Sequence, residues 1–276
     1  MGDAAIKVTF WGVRGSIACA GPETAAYGGN TACVEVRCGP HRLILDAGTG
    51  IRPLGRVIAA EPPAPVDILF SHTHLDHVLG LPFFAPALIP GRSVGLWAGH
   101  LLPQMTLEQA IRRLMAPPLF PVPVDILAAD LAFHDFRAGE VLRPRPGIVV
   151  RTAPLPHPDG ATGYRIEHAG RAVAYVTDLE HRPGTLDREV LDLVRGADLM
   201  IYDSTYDDAE FAERVGWGHS TWQEALRIAD AGDVARVVLF HHDPARDDAA
   251  LDRIAAAVNL LRPETLVARE GQSVTC

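Results

Sequence analysis

Residues 71–77 read Ser-His-Thr-His-Leu-Asp-His, and this stretch constrains the chain more than any other. His72, His74, Asp76 and His77 can each bind a metal. They follow an apolar run, Val66 to Phe70, that reads as a buried strand. Gly80 and Pro82 close the stretch on the far side. A strand end opening into a loop can aim alternate side chains at one point. The i, i+2 spacing lets His72 and His74 share one metal, and Asp76 and His77 come a turn later, within reach of a second ion. Imidazole and carboxylate together suit zinc, manganese or iron. A polar surface loop with chance histidines would have no reason to follow a core strand directly.

The fold must supply that core strand with neighbours. The chain has 276 residues, of which 48% are hydrophobic, enough for a large core in one α/β domain spanning 1–276. The formal charge of −9 argues against broad nucleic-acid binding, which needs a basic face. It is compatible with a small anion held by metal ions. Cys19, Cys33, Cys38 and Cys276 form no C-x-x-C pair and read as free thiols. Met1–Phe10 has neither a basic start nor a long apolar core, so no leader is expected. No apolar run reaches the roughly 18 residues that span a bilayer. These features predict a soluble, cytoplasmic protein with no membrane partner.

The predicted strands are Ile6–Trp11, Ala32–Arg37, Arg42–Leu45, Val66–Phe70, Val149–Ala153, Tyr164–Glu167, Ala172–Val176, Leu199–Tyr202, Val237–Phe240 and Leu266–Ala268. Turns at Gly39-Pro40 and Ala169-Gly170 join two of the pairs. Helices are predicted over Ile51–Ala60, from Thr106 to Met115, from Thr185 to Arg195, after Ser220 or Thr221 as far as Gly232, and over Asp247–Leu261. Thr106 with Gln109, and Thr221 with Glu224, have capping-box spacing. Gly12 to Gly29 reads as loop, and the proline-rich pieces at 61–65 and 117–123 read as connectors.

One event recurs along this map. Apolar strands end in a metal-competent residue at Asp46, His72, His157, Asp178, Asp203 and His241. In open α/β sheets, ligands sit beyond the carboxyl ends of strands. So many such endings in one chain point to one shared site. His241 and His242 are adjacent, and on an extended chain only one of them can face it.

The order Ser-His-Thr-His-Leu-Asp-His, His157, Asp178, His241 resembles the metallo-β-lactamase superfamily over nearly the whole chain. Leu43–Gly48 is similar to its first motif. Gly163–Glu167, Gly218-His219-Ser220-Thr221 and Val237–His241 resemble the phosphodiesterase branch that includes ribonuclease Z and small cyclic-phosphodiester hydrolases. The resemblance implies an αββα sandwich, two mixed sheets packed face to face with helices outside. It implies two divalent ions, zinc or manganese with iron as a further option. His72, His74 and His157 would hold the first, Asp76, His77 and His241 the second, and Asp178 would bridge them. Two ions roughly 3.5–4 Å apart can hold a hydroxide that attacks phosphorus in line. Asp76 would orient it or take its proton.

The resemblance also assigns His219 as the acid that protonates the leaving alkoxide. Asp203 stands where ribonuclease Z carries a longer Glu as this histidine's partner. The interval from Pro158 to Thr177 holds one hairpin, with no room for the long tRNA-gripping arm of short bacterial ribonuclease Z. A small phosphodiester, cyclic or linear, is therefore the expected substrate, and tRNA is not. Gly21 to Asn30 and residues 117–123 are candidate pocket walls. Oligomeric state stays open, with a homodimer among the forms. The competing readings are a lactone, thioester or amide hydrolase on the same metals, and a metal-bearing sensor domain.

Overall fold

The computed structural model describes residues 5–276. Residues 1–4, part of the expected 1–276 domain and of the stretch expected to hold no leader, lie outside the described residues.

Two sheets, each of seven strands, form the framework among the described residues. The first contains β1 (Ile6–Gly12), β2 (Cys33–Cys38), β3 (His41–Leu45), β4 (Val66–Phe70), β5 (Ser93–Ala98) and β6 (Asp130–Asp135). The second contains β7 (Val141–Leu142), β8 (Ile148–Leu155), β9 (Ala161–His168), β10 (Arg171–Val176), β11 (Leu199–Asp203), β12 (Arg236–Phe240) and β13 (Leu266–Val267). The chain then returns to the first sheet as β14 (Ser273–Thr275). The strand orders are β14-β1-β2-β3-β4-β5-β6 and β13-β12-β11-β10-β9-β8-β7.

Alternation of side chains decides which layer each strand residue joins. Leu43 and Leu45 of β3 and Leu69 of β4 point between the sheets. There they meet Val173 and Tyr175 of β10, Leu199 and Ile201 of β11, and Val238 and Phe240 of β12. The intervening residues face the other way. Ile44, Ile68 and Phe70 receive Ile51, Leu54 and Ile58 from α1 (Ile51–Ala60). Ala174, Met200, Tyr202 and Leu239 lie under helices further along the chain. Strands buried on both faces are mostly apolar, so β12 is apolar from Val237 to Phe240, and the one charged residue of β4, Asp67, is buried in hydrogen bonds to Trp97 and Arg145.

The remaining helices are α2 (Leu75–Val78), α3 (Leu107–Leu114), α4 (Arg188–Val194), α5 (Asp208–Phe211), α6 (Trp222–Ala231) and α7 (Asp248–Leu261). The Thr106–Gln109 capping box forms in full. At Thr221 only half of the box forms: Thr221 caps the Glu224 amide, while the Glu224 carboxylate turns to Arg227. The helix expected from Thr185 begins later, at Arg188. Asp187 caps it through the Val190 amide, whereas the Thr185 amide closes a turn onto Arg182. β5, β6, β7 and β14 were not foreseen: β5 is an apolar run interrupted by Gly95, and tertiary pairing rather than a bounded apolar run defines the other three. No helix among the described residues is long and apolar enough to cross a membrane.

The topology brings the candidate residues to one rim. β3, β4, β10, β11 and β12 end there, each in a parallel pairing. β8 joins them because it runs antiparallel to β9, which runs antiparallel to β10.

Candidate metal centre

His72, His74 and His157 place nitrogens within 4.8 Å of one another, and Asp76, His77 and His241 form a second such group. In the first, His157 Nε2 lies 3.1 Å from His74 Nδ1. In the second, Asp76 Oδ2 lies 3.2 Å from His77 Nε2 and 3.3 Å from His241 Nε2. Asp178 stands between them. Its Oδ1 is 3.8 Å from His72 Nε2 and 4.0 Å from His157 Nε2. Its Oδ2 is 3.3 Å from both His77 Nε2 and His241 Nε2.

The strand exits that deliver these groups are sharply bent. Asp46, Asp178 and His241 have φ of 63°, 57° and 62°, in the left-handed region. For residues other than glycine this costs roughly 1–2 kcal/mol each. Such strain persists where surrounding structure fixes it, often at functional sites.

Polar partners behind the cluster fix the imidazole orientations. Asp46 Oδ2 accepts from His77 Nδ1 at 2.9 Å, from Tyr175 Oη at 2.8 Å and from Ser71 Oγ at 2.8 Å. The Ser71 amide donates to Asp46 Oδ1. His157 Nδ1 donates to the Gly218 carbonyl at 2.8 Å. His241 Nδ1 donates to Thr205 Oγ1, which donates to Asp203 Oδ1. With each Nδ1 used as a donor, the Nε2 lone pairs of His77, His157 and His241 face the centre.

Those inward lone pairs test whether a metal fits. His77 Nε2 and His241 Nε2 are 3.2 Å apart with no donor proton between them in these tautomers. His72 Nε2 is buried with no hydrogen-bond partner among the described residues. An orphaned buried polar atom costs roughly 1–3 kcal/mol, and facing lone pairs repel. A cation in each group satisfies both conditions, and imidazole with carboxylate is a suitable donor set. Burial, reinforced by neighbouring imidazoles, holds the His72 pKa well below the ordinary histidine value, leaving its nitrogen free to coordinate.

His219 lies beside this centre with Nδ1 3.1 Å from Asp203 Oδ2 and 3.6 Å from Asp178 Oδ1. Burial lowers its pKa, but the Asp203 carboxylate and then Asp178 outweigh that, and it is raised to about 9. The shorter Asp203 therefore does reach the imidazole. His242 faces away, with Nε2 2.9 Å from the Ala268 carbonyl.

All nine candidate side chains thus meet at one rim: His72, His74, Asp76, His77, His157, Asp178, Asp203, His219 and His241. Sequence reading missed the Ser16 amide, which donates to Asp76 Oδ2 at 2.7 Å, and the supporting Tyr175 and Thr205 hydroxyls. No sequence signal separates these from ordinary loop and strand residues. His100 Nε2 bonds Thr73 Oγ1, and its Nδ1 is buried without a partner among the described residues. The Gly21–Asn30 segment is pinned to α7, with the Ala26 and Tyr27 amides on the Asp248 carboxylate.

Comparison with known proteins agrees with this arrangement. Residues 41–242 match the family model described as the β-lactamase superfamily domain. A ribonuclease Z of Bradyrhizobium sp. (strain ORS 278) is 29% identical, covering 90% of this chain and 91% of that one. The metallo-β-lactamase fold protein YhfI from Bacillus subtilis superposes with a TM-score of 0.73 at 19% identity, over 99% of this chain and 100% of that one. A diphosphatase from the PhnP family gives 0.71 at 16% identity, over 99% and 97%. The two structural likenesses establish the fold alone. The family model spans most of the chain, including the whole stretch from β3 to His242. The chain therefore belongs to the β-lactamase superfamily domain family, its architecture is the metallo-β-lactamase fold, and its histidine–aspartate cluster is a divalent-metal site.

Proposed function

We propose that this chain is a dinuclear phosphodiesterase acting on a small anionic phosphodiester, as one domain in the cytoplasm. Its broader class is a metal-dependent hydrolase of phosphodiester bonds, in keeping with the ribonuclease Z relative. The observation that carries the finer reading is the division of Asp178: one carboxylate oxygen faces each donor group.

His72, His74 and His157 would hold one ion, Asp76, His77 and His241 the other, and Asp178 both. Zinc or manganese suits these donors, and iron is the further option. Such ions supply a nucleophilic hydroxide at neutral pH and neutralise charge developing on phosphorus. Asp76, anchored by the Ser16 amide, orients the attacking oxygen or accepts its proton. Asp203 holds His219 by Nδ1, leaving Nε2 to donate a proton to the leaving alkoxide. The raised His219 pKa keeps that proton in place at neutral pH.

A small substrate is supported by the charge of −9 and by the β9–β10 hairpin. That hairpin is fully paired between β8 and β11, so the interval expected to lack an arm contributes only sheet. The 29% identical ribonuclease Z favours a second reading, processing of tRNA precursors. A panel of bis-p-nitrophenyl phosphate, cyclic nucleotides, a tRNA precursor, a lactone and nitrocefin separates the readings. Turnover of small phosphodiesters alone supports the first. Efficient tRNA cleavage replaces it with the second, and lactone or nitrocefin turnover without phosphodiester turnover rejects both.

A further inference from the structure

Glu180 lies two residues beyond Asp178 and touches neither donor group. Its Oε2 accepts the backbone N–H of Gly216 at 2.6 Å and of Gly218 at 3.0 Å. Its own amide donates to the Pro156 carbonyl at 2.7 Å, in the residue before His157. One residue thus links the exits of β8 and β10 to the loop that carries His219.

Side-chain packing does little to fix the held loop: Val215 is 63% exposed and Trp217 60%. Gly216 and Gly218 have φ of 90° and 83°, conformations that glycine adopts without penalty and can also leave easily. Yet the Gly218 carbonyl is what orients His157, through Nδ1 at 2.8 Å. A Cβ on Gly218 would lie 2.3 Å from that same nitrogen, so the loop is pressed directly against the ring. The next residue is His219.

We propose that Glu180 is a positioning residue: its carboxylate clamps the Gly216–Gly218 backbone, and through it sets the His157 ring for the first ion and the His219 ring for the leaving group. The clamp is geometric. One oxygen accepts both N–H groups, so a glutamine carbonyl oxygen can replace it. An alanine offers no acceptor, and an aspartate is one methylene too short. The side chain lines an open cavity of about 340 Å³.

The inference rests on His157 being an ion ligand, and the test separates the two. The full-length protein is titrated with Zn²⁺ against a fluorescent chelator, as wild type, H157A, E180A, E180D and E180Q. Circular dichroism confirms folding of each, and E180D replaces E180A if the latter does not fold. E180A and E180D are expected to weaken one of two binding steps by about 10–100-fold, the usual cost of losing an outer partner, with the other step little changed. E180Q should restore the wild-type isotherm to within about threefold. The same two variants should lose more turnover on poor leaving groups than on p-nitrophenolate. Wild-type binding in E180A and E180D, while H157A loses a step, overturns the clamp alone. Equal losses in E180Q and E180A also overturn it, since charge rather than geometry would then be at work. Two intact steps in H157A overturn the clamp together with the ligand assignment beneath it.

Discussion

Asp178 and His219 are proposed to do different work with similar surroundings. Asp178 is buried between the two donor groups, and no single imidazole accounts for both of its oxygens. Replacing it with alanine should reduce bound metal from two ions per chain to one or none, measured by elemental analysis after gel filtration. Two retained ions would contradict the bridging role. His219 is turned by Asp203 so that one nitrogen stays free. His219→Ala should keep both ions and lower turnover by about 10²–10⁴ on substrates with poor leaving groups, the range of a lost general acid. Activated p-nitrophenyl esters should suffer less, because their leaving group needs no proton. Equal losses on both would reject the acid assignment.

The elements matter through where they stop. His72, His157, Asp178, Asp203 and His241 sit at or just past strand ends, Asp76 and His77 lie on the short α2, His219 lies on the loop before α6, and loops press on the rings from outside. Gly15 shows how tight that contact is: a Cβ there would lie 2.3 Å from the His241 ring. Its neighbour Ser16 donates its amide to Asp76, so the loop holds two members of the second group at once. Gly15→Ala should leave secondary structure intact by circular dichroism yet weaken one Zn²⁺ binding step by about 10-fold or more in calorimetry. An unchanged isotherm would mean the loop yields freely. Strand ends were legible in the sequence because double burial makes a strand mostly apolar, and the polar residues that follow then stand out, as at Ser71-His72 and His241. The loop contacts were not legible. Ser16 acts through its backbone, and Glu180 acts on two amides that any residue types could supply. The start of α4 was missed because Thr185 and Asp187 are both good caps, and only the fold chooses between them.

At the scale of the whole molecule, two sheets meet over a core that includes Leu43, Ile166, Val173 and Ile201, and the site lies at the rim where that sandwich ends. Ten strands were readable from apolar runs and the sandwich from the family resemblance, whereas β6, β7 and β14 take their form from pairing across the sheet and β5 is an apolar run interrupted by Gly95. Rigidity at the rim comes from the buried network around Asp46, which ties β3, β4 and β10 together through Ser71, His77 and Tyr175. The most direct measurement is anomalous diffraction at the metal edge from crystals grown with Zn²⁺ or Mn²⁺. Two peaks are predicted, one among His72, His74 and His157, the other among Asp76, His77 and His241, with Asp178 touching both. A single peak, or a pair that leaves Asp178 uncoordinated, would contradict the dinuclear site.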